Sequence, residues 1–184
     1  MGKFVLGLIV GLVVIFAIVY IYFATGMAPV ATSGAPMPLE RRFARMNLHA
    51  HEEKEAPKTV PIAADDATYT AGAEIYKEHC AVCHGLPGQP QTAIAKGMYP
   101  KPPKLMEGTG VTDDPAGETY WKVSGGIRMS GMPGFARSLS ITQMWQVSVM
   151  LANADKMPQS IKDAMTAPPA QPVAAPETKS PAKR

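Results

Sequence analysis

Cys80-Ala81-Val82-Cys83-His84 holds the only two cysteines of the 184-residue chain, three positions apart, with a histidine directly after the second. Several chemistries use a C-x-x-C spacing. A dithiol redox centre belongs at a βαβ junction, and no strand-like alternation surrounds this run. A structural zinc site needs four ligands, and no second C-x-x-C follows. A disulfide between these two cysteines would close a loop too small to restrain anything. The remaining reading accounts for all three residues. Two thiols at this separation can each add to a vinyl group of a haem, and the adjacent histidine then reaches the iron from the same side. The run is read as a covalent haem-attachment site, with Cys80 and Cys83 as the anchors and His84 as an iron ligand.

Outward from this run the punctuation is helical. A first helix is expected from near Asp66 to Cys80, with Gly72, Ile75, Tyr76 and His79 along one stripe. A short helix follows Asp114-Pro115, read as N-cap and N1, and stops at Gly125-Gly126. A last helix opens at Ser140, with Gln143 three residues on to complete a capping box. Ile141, Met144, Trp145, Val149 and Ala152 keep helical spacing until Pro158 forbids continuation. Residues 85–110 read as loop, from Pro87, Pro90, Pro100, Pro102 and Pro103. The unit 65–160 is therefore expected to be all-α. With so few helices and so much loop it needs a filler for its core, and one haem supplies it.

The second axial position separates a carrier from an enzyme. Gly131-Met132-Pro133-Gly134-Phe135 lies in a loop 48 residues after His84. A thioether is a soft neutral ligand that favours reduced iron, and it closes the coordination shell. Met132 is preferred over Met129 because Gly131 and Pro133 flank it. His49, His51 and His79 are poorly placed for the role.

With these residues in view, the stretch from Thr70 to Pro158 resembles a class I c-type cytochrome, of the kind related to the haem subunit III of cbb3-type oxidases. The likeness rests on Gly72 and Tyr76 before Cys80–Gly85, on Tyr99-Pro100 to Pro103 and Leu105, and on Tyr120-Trp121. It continues through Gly126-Ile127-Arg128-Met129-Ser130-Gly131-Met132-Pro133-Gly134-Phe135 to Trp145. The resemblance implies that the Pro103 carbonyl accepts a hydrogen bond from His84 Nδ1 and that Leu105 packs on the haem face. It also implies that Arg128 pairs with a haem propionate, and that Gly72 and Tyr76 cross the last helix near Trp145. Bacterial cytochromes of this type acquire haem outside the cytoplasmic membrane.

That last implication orients the rest of the chain. Phe4 to Phe23 is an uncharged run of 20 residues, about 30 Å as a helix, enough for one hydrocarbon core. It is longer than a signal-peptide core, and Ala28-Pro29-Val30-Ala31 is a poor cleavage site. Residues 1–23 are therefore read as a single-pass anchor in the cytoplasmic membrane. Lys3 before it and Arg41, Arg42 and Arg45 after it leave the orientation open by charge alone. The haem places the N-terminus inside and the domain on the periplasmic side. Gly7 and Gly11 form a G-x-x-x-G that would let a second helix approach. Residues 24–64 read as a flexible tether, roughly 35 Å end to end as a coil, which the charged run Glu40 to Lys58 either stiffens or folds into a short helix. Residues 161–184 read as a disordered Pro/Ala-rich tail.

The functional classes narrow accordingly. The chain carries a net charge of +3, but residues 65–157 hold nine acids and eight bases, which gives no footprint for nucleic acid. Lys96, Lys101 and Lys104, followed by Asp113, Asp114 and Glu118, are either solvated surface or a steering patch for a redox partner. No small-molecule substrate is expected, and the chain is read as an electron carrier of a respiratory or photosynthetic system rather than an enzyme. Two geometries remain, a shuttle on its tether and a fixed subunit of a larger membrane complex. A ligand-binding or peroxidatic haem enzyme would need an open axial site.

Overall fold

The computed structural model describes residues 1–107 and 114–166. Its helices are α1 (Gly2–Ala24), α2 (Glu40–Glu55), α3 (Asp66–Ile75), α4 (Ala81–His84), α5 (Ala93–Gly97), α6 (Ala116–Gly125), α7 (Ile141–Ala152) and α8 (Gln159–Thr166), with a π turn over Tyr76–Cys80 joining α3 to α4. No strand occurs among the described residues. The architecture is all-α, as expected.

The core forms where α3, α6 and α7 meet. Tyr69, Ala73 and Ile75 from the first, with Tyr76 from the π turn that follows it, Val123 from the second, and Met144, Trp145, Val147, Val149, Met150 and Leu151 from the third make one buried cluster. Gly72 lets α3 and α7 touch, because a Cβ there would lie 2.5 Å from the Gln146 carbonyl oxygen and 2.6 Å from Met150 Cβ. Tyr120 stacks on Trp145 with centroids 4.2 Å apart and planes 14° from parallel. The capping box at Ser140 and Gln143 is present in both directions, so α7 starts where the sequence says it should. Ile141, expected on the apolar stripe, is instead exposed.

Four local expectations are corrected. The first helix does not run uniformly to Cys80, since its last turn widens to π, with the Ala81 amide bonded back to the Tyr76 carbonyl. His79 leaves the buried stripe and stands beside Phe135, centroids 6.0 Å apart. At α6 the N-cap is Pro115, with no side-chain cap. The Asp114 carboxylate has a stronger offer, accepting from Lys122 Nζ at 2.9 Å. The loop between Gly85 and Gly110 also contains α5, capped by the Thr92 hydroxyl on the Ala95 amide.

The boundaries at both ends of the domain also move. The span expected as tail from residue 161 begins inside α8, whose Ile161 and Met165 are buried in the core cluster. α7, expected to run until Pro158, stops at Ala152 with Asn153 as its C-cap. Pro158 instead opens α8, its carbonyl accepting from the Ile161 amide. Residues 167–184 of the expected tail lie outside the described residues. In the tether, Glu40 to Glu55 is a full four-turn helix, and its last turn docks on α6. Trp121 Nε1 donates to Glu55 Oε2 at 3.2 Å. Ala56 is buried, and a Cβ on Gly117 would collide with the Pro57 carbonyl. Glu52, 2% exposed, faces Lys122 Nζ at 3.2 Å and His49 Nδ1 at 3.2 Å.

This seam makes α2 docking pH-dependent. Burial disfavours the Lys122 charge, but Asp114 and Glu52 outweigh it and raise its pKa above the usual lysine value. A pKa raised on folding stabilises the docked state below the free-lysine range, and that contribution disappears as the pH climbs through the raised value. Docking is expected to hold up to about pH 10.5, the ordinary lysine range, and to fail above it, followed by near-UV circular dichroism of Trp121. Lys122→Met leaves Glu52 buried without its counter-charge and should cost about 3 kcal/mol. An unchanged unfolding midpoint for that variant would contradict this account.

Candidate haem-attachment site

The attachment residues sit at the end of the π turn and on α4. Cys80 packs against the core cluster, and burial followed by the neighbouring Cys83 pushes its thiol up to about 12. A redox-active cysteine usually has the opposite shift, which burial denies to Cys80. No cluster of three or more metal-ligating side chains occurs among the described residues. The backbone that carries the run is pinned from within, since the buried Tyr76 hydroxyl donates to the Gly85 carbonyl at 2.7 Å. The Thr92 hydroxyl donates to the Val82 carbonyl at 2.6 Å.

His84 is held in one tautomer by an argument that needs no hydrogen positions. Its Nδ1 lies 2.8 Å from the Pro103 carbonyl oxygen. A carbonyl can only accept, so Nδ1 carries the proton and Nε2 keeps its lone pair. Burial lowers the ring's pKa, opposed by the bond to Pro103, which keeps the imidazole neutral. A neutral, oriented ring with a free Nε2 is what an iron ligand requires.

Met132 lies on a tight hairpin. Ile127 and Met132 form an antiparallel bridge, with the Ile127 amide donating to the Met132 carbonyl at 3.1 Å. The Ser130 hydroxyl donates to Ile127 O at 2.6 Å and accepts from the Met132 amide at 3.2 Å. Met132 is half-buried against the core cluster. Met129, at the tip with φ of 61°, is 92% exposed and cannot serve as a buried ligand. Leu105 is also half-buried against the core. Arg128 is exposed and has no acidic partner among the described residues.

Of the charges around the site, Lys104 pairs with Glu107 at 2.7 Å, and Glu107 accepts from the Gly88 amide at 3.0 Å, tying two loops together. Asp114 is spent on Lys122, and Asp113 lies outside the described residues. The expected lysine and aspartate patches therefore do not survive as a simple pair. Sequence reasoning missed Tyr76 as a backbone pin, and it missed the Glu52, Glu55, Lys122 and Trp121 seam. A tyrosine four residues before a cysteine was the available signal for the first.

Helices around a buried aromatic core, with two thiols and an oriented neutral imidazole on one short segment, fit a c-type cytochrome domain. Residues 69–154, a little under half of the chain, match the family model for cytochrome c, and the domain binds one covalent haem c. No curated protein matches the sequence. Among solved structures, a chain of the Kuenenia stuttgartiensis reducing HAO-like protein complex is similar, with 23% identity and a TM-score of 0.45. The match covers 56% of this chain and 53% of that one, so the two correspond over about half of either length. A match to this family implies electron transfer.

Proposed function

We propose that the chain is a membrane-anchored monohaem electron carrier with histidine and methionine axial ligation, related to the cytochrome subunits of cbb3-type oxidases. In this reading Cys80 and Cys83 form the thioether links, and His84 Nε2 and Met132 Sδ ligate the iron. Pro103 O holds the Nδ1 proton, Leu105 covers the haem face, and Arg128 meets a propionate. The haem supplies a one-electron couple. The protein's part is to hold both axial groups, exclude water and present an edge to redox partners in the membrane. The observation that carries the reading is the His84 Nδ1 to Pro103 bond beside two attachment thiols, with a braced, half-buried methionine on a separate hairpin.

The anchor is α1, 23 residues with a mean hydropathy of 3.1 over its most apolar window, taken as a cytoplasmic-membrane span with the N-terminus inside and the haem domain periplasmic. A freely swinging domain is disfavoured, since α2 is docked and only 15 residues separate Ala24 from Glu40. As a coil these span roughly 21 Å. The same docking favours the second reading, a fixed cytochrome subunit of a larger complex. The matured full chain, expressed in membranes, is expected to carry one covalent haem, to resist an alkaline wash, and to ignore carbon monoxide when reduced. Carbon monoxide uptake by the unaltered chain would overturn the carrier reading. Comigration with other subunits as one species in mild detergent selects the fixed subunit, and a free monomer selects the short-range carrier.

A further inference from the structure

Most of the charge on α2 runs against its own dipole. Arg41, Arg42 and Arg45 lie in the first two turns, where Glu40 is the one acid, while Glu52, Glu53 and Glu55 end the helix around Lys54. Cations at a helix N-terminus and anions at its C-terminus both oppose the aligned peptide dipoles. Docking on α6 accounts for Glu52 and Glu55, and Arg41 is accounted for by Tyr99, bonded at 3.3 Å with the guanidinium 5.7 Å from the ring centroid. Among the described residues no carboxylate pairs with Arg42 or Arg45. They line a shallow concavity of about 470 Å³ with Arg41, Met46 and His49, and Phe43 and Met46 stand 60% and 57% exposed nearby.

The position of this face narrows what it meets. Met37 and Pro38, just before α2, share a groove with Ile18, Val19, Tyr22 and Phe23 from the last two turns of α1. The start of α2 thereby lies close to the end of the apolar helix, where Tyr20 and Tyr22 supply the amphipathic rings usual at a membrane boundary. A cationic face with apolar side chains there is complementary to anionic headgroups. Guanidinium binds phosphate through paired donors, and the aromatic and thioether side chains enter the acyl boundary.

We propose that the Arg42 and Arg45 face of α2 rests on anionic phospholipid headgroups of the membrane that α1 spans, while the adjoining face, through Arg41, Glu52 and Glu55, holds the haem domain. The inference rests on α1 being a membrane span. Arg42 and Arg45 each contribute about fivefold in partitioning to an anionic surface.

The test uses the full holoprotein in nanodiscs of pure phosphatidylcholine and of phosphatidylcholine with phosphatidylglycerol. Amide hydrogen exchange across residues 40–50 is expected to slow about tenfold or more in the anionic discs. High salt should abolish the difference. Arg42→Glu with Arg45→Glu should also abolish it, with the haem spectrum unchanged. Unprotected exchange in both discs, with the chain still embedded, overturns the proposal and leaves the face to an acidic protein surface. Equal protection in both discs also overturns it, since charge would then play no part. Failure of the chain to remain with the disc after detergent removal overturns the span reading itself, and this proposal with it.

Discussion

Replacing Gly72 with valine is expected to lower the stability of the haem domain by about 3 kcal/mol, near the upper end of overpacking penalties, and its melting temperature by about 15 °C. The reason is the helix crossing. A Cβ at Gly72 meets the Gln146 carbonyl oxygen at 2.5 Å and Met150 Cβ at 2.6 Å. Both contacts lie on or next to the α7 backbone, so no side-chain rotation relieves them. α3 and α7 must separate, and the separation spreads to Tyr76, Met150 and Leu151, all of which are 2% exposed or less. The internal control is Gly125→Ala at the end of α6, where a Cβ meets nothing within 4 Å. Thermal unfolding of the holoprotein by far-UV circular dichroism distinguishes the two. Equal melting temperatures for Gly72→Val and the unaltered chain would remove the crossing from the account of stability.

Met132→Ala should change the chemistry without unfolding the domain. Met132 is only half-buried, and its hairpin is held by backbone and Ser130 bonds that alanine keeps. With Met132 as the proposed iron ligand, loss of the sulfur would remove a soft ligand that favours reduced iron. The reduction potential is therefore expected to fall, and the reduced protein to bind carbon monoxide stoichiometrically where the unaltered chain binds none. Met129→Ala should do neither, because Met129 points into solvent. Met98 and Met106 are the other partly buried methionines near the site. If Met98→Ala or Met106→Ala opened the iron to carbon monoxide and Met132→Ala did not, the axial role would pass to that residue.

The parts of this molecule that were legible in sequence are those written over a few consecutive residues. The attachment run, the Ser140–Gln143 capping box and the helical spacing from Met144 to Val149 are local patterns with local causes. Pro103 was reached only through family resemblance, since no spacing rule links it to His84 across 19 residues. The docking of α2 was illegible for a plain reason. Glu55 and Trp121 are 66 positions apart, and each of Glu52, Lys122 and Asp114 is an ordinary surface residue until the others arrive. Gly117 looked like any helical glycine, although only its lack of a side chain admits Pro57. α8 was missed because eight residues after a proline carry a single apolar pair, Ile161 and Met165, too little to separate helix from tail.

The π turn between Ile75 and Ala81 spends one residue more than an α-helix would over the same stretch. Each residue of an α-helix advances the side-chain azimuth by about 100°, so that surplus resets the angular phase of everything after it. The face of α3 that meets α7 and the face of α4 that offers Cys83 and His84 therefore need not obey a common period. The attachment segment is indexed like a vernier, by a single surplus residue, and packing and ligation can each keep their own alignment along one continuous rod.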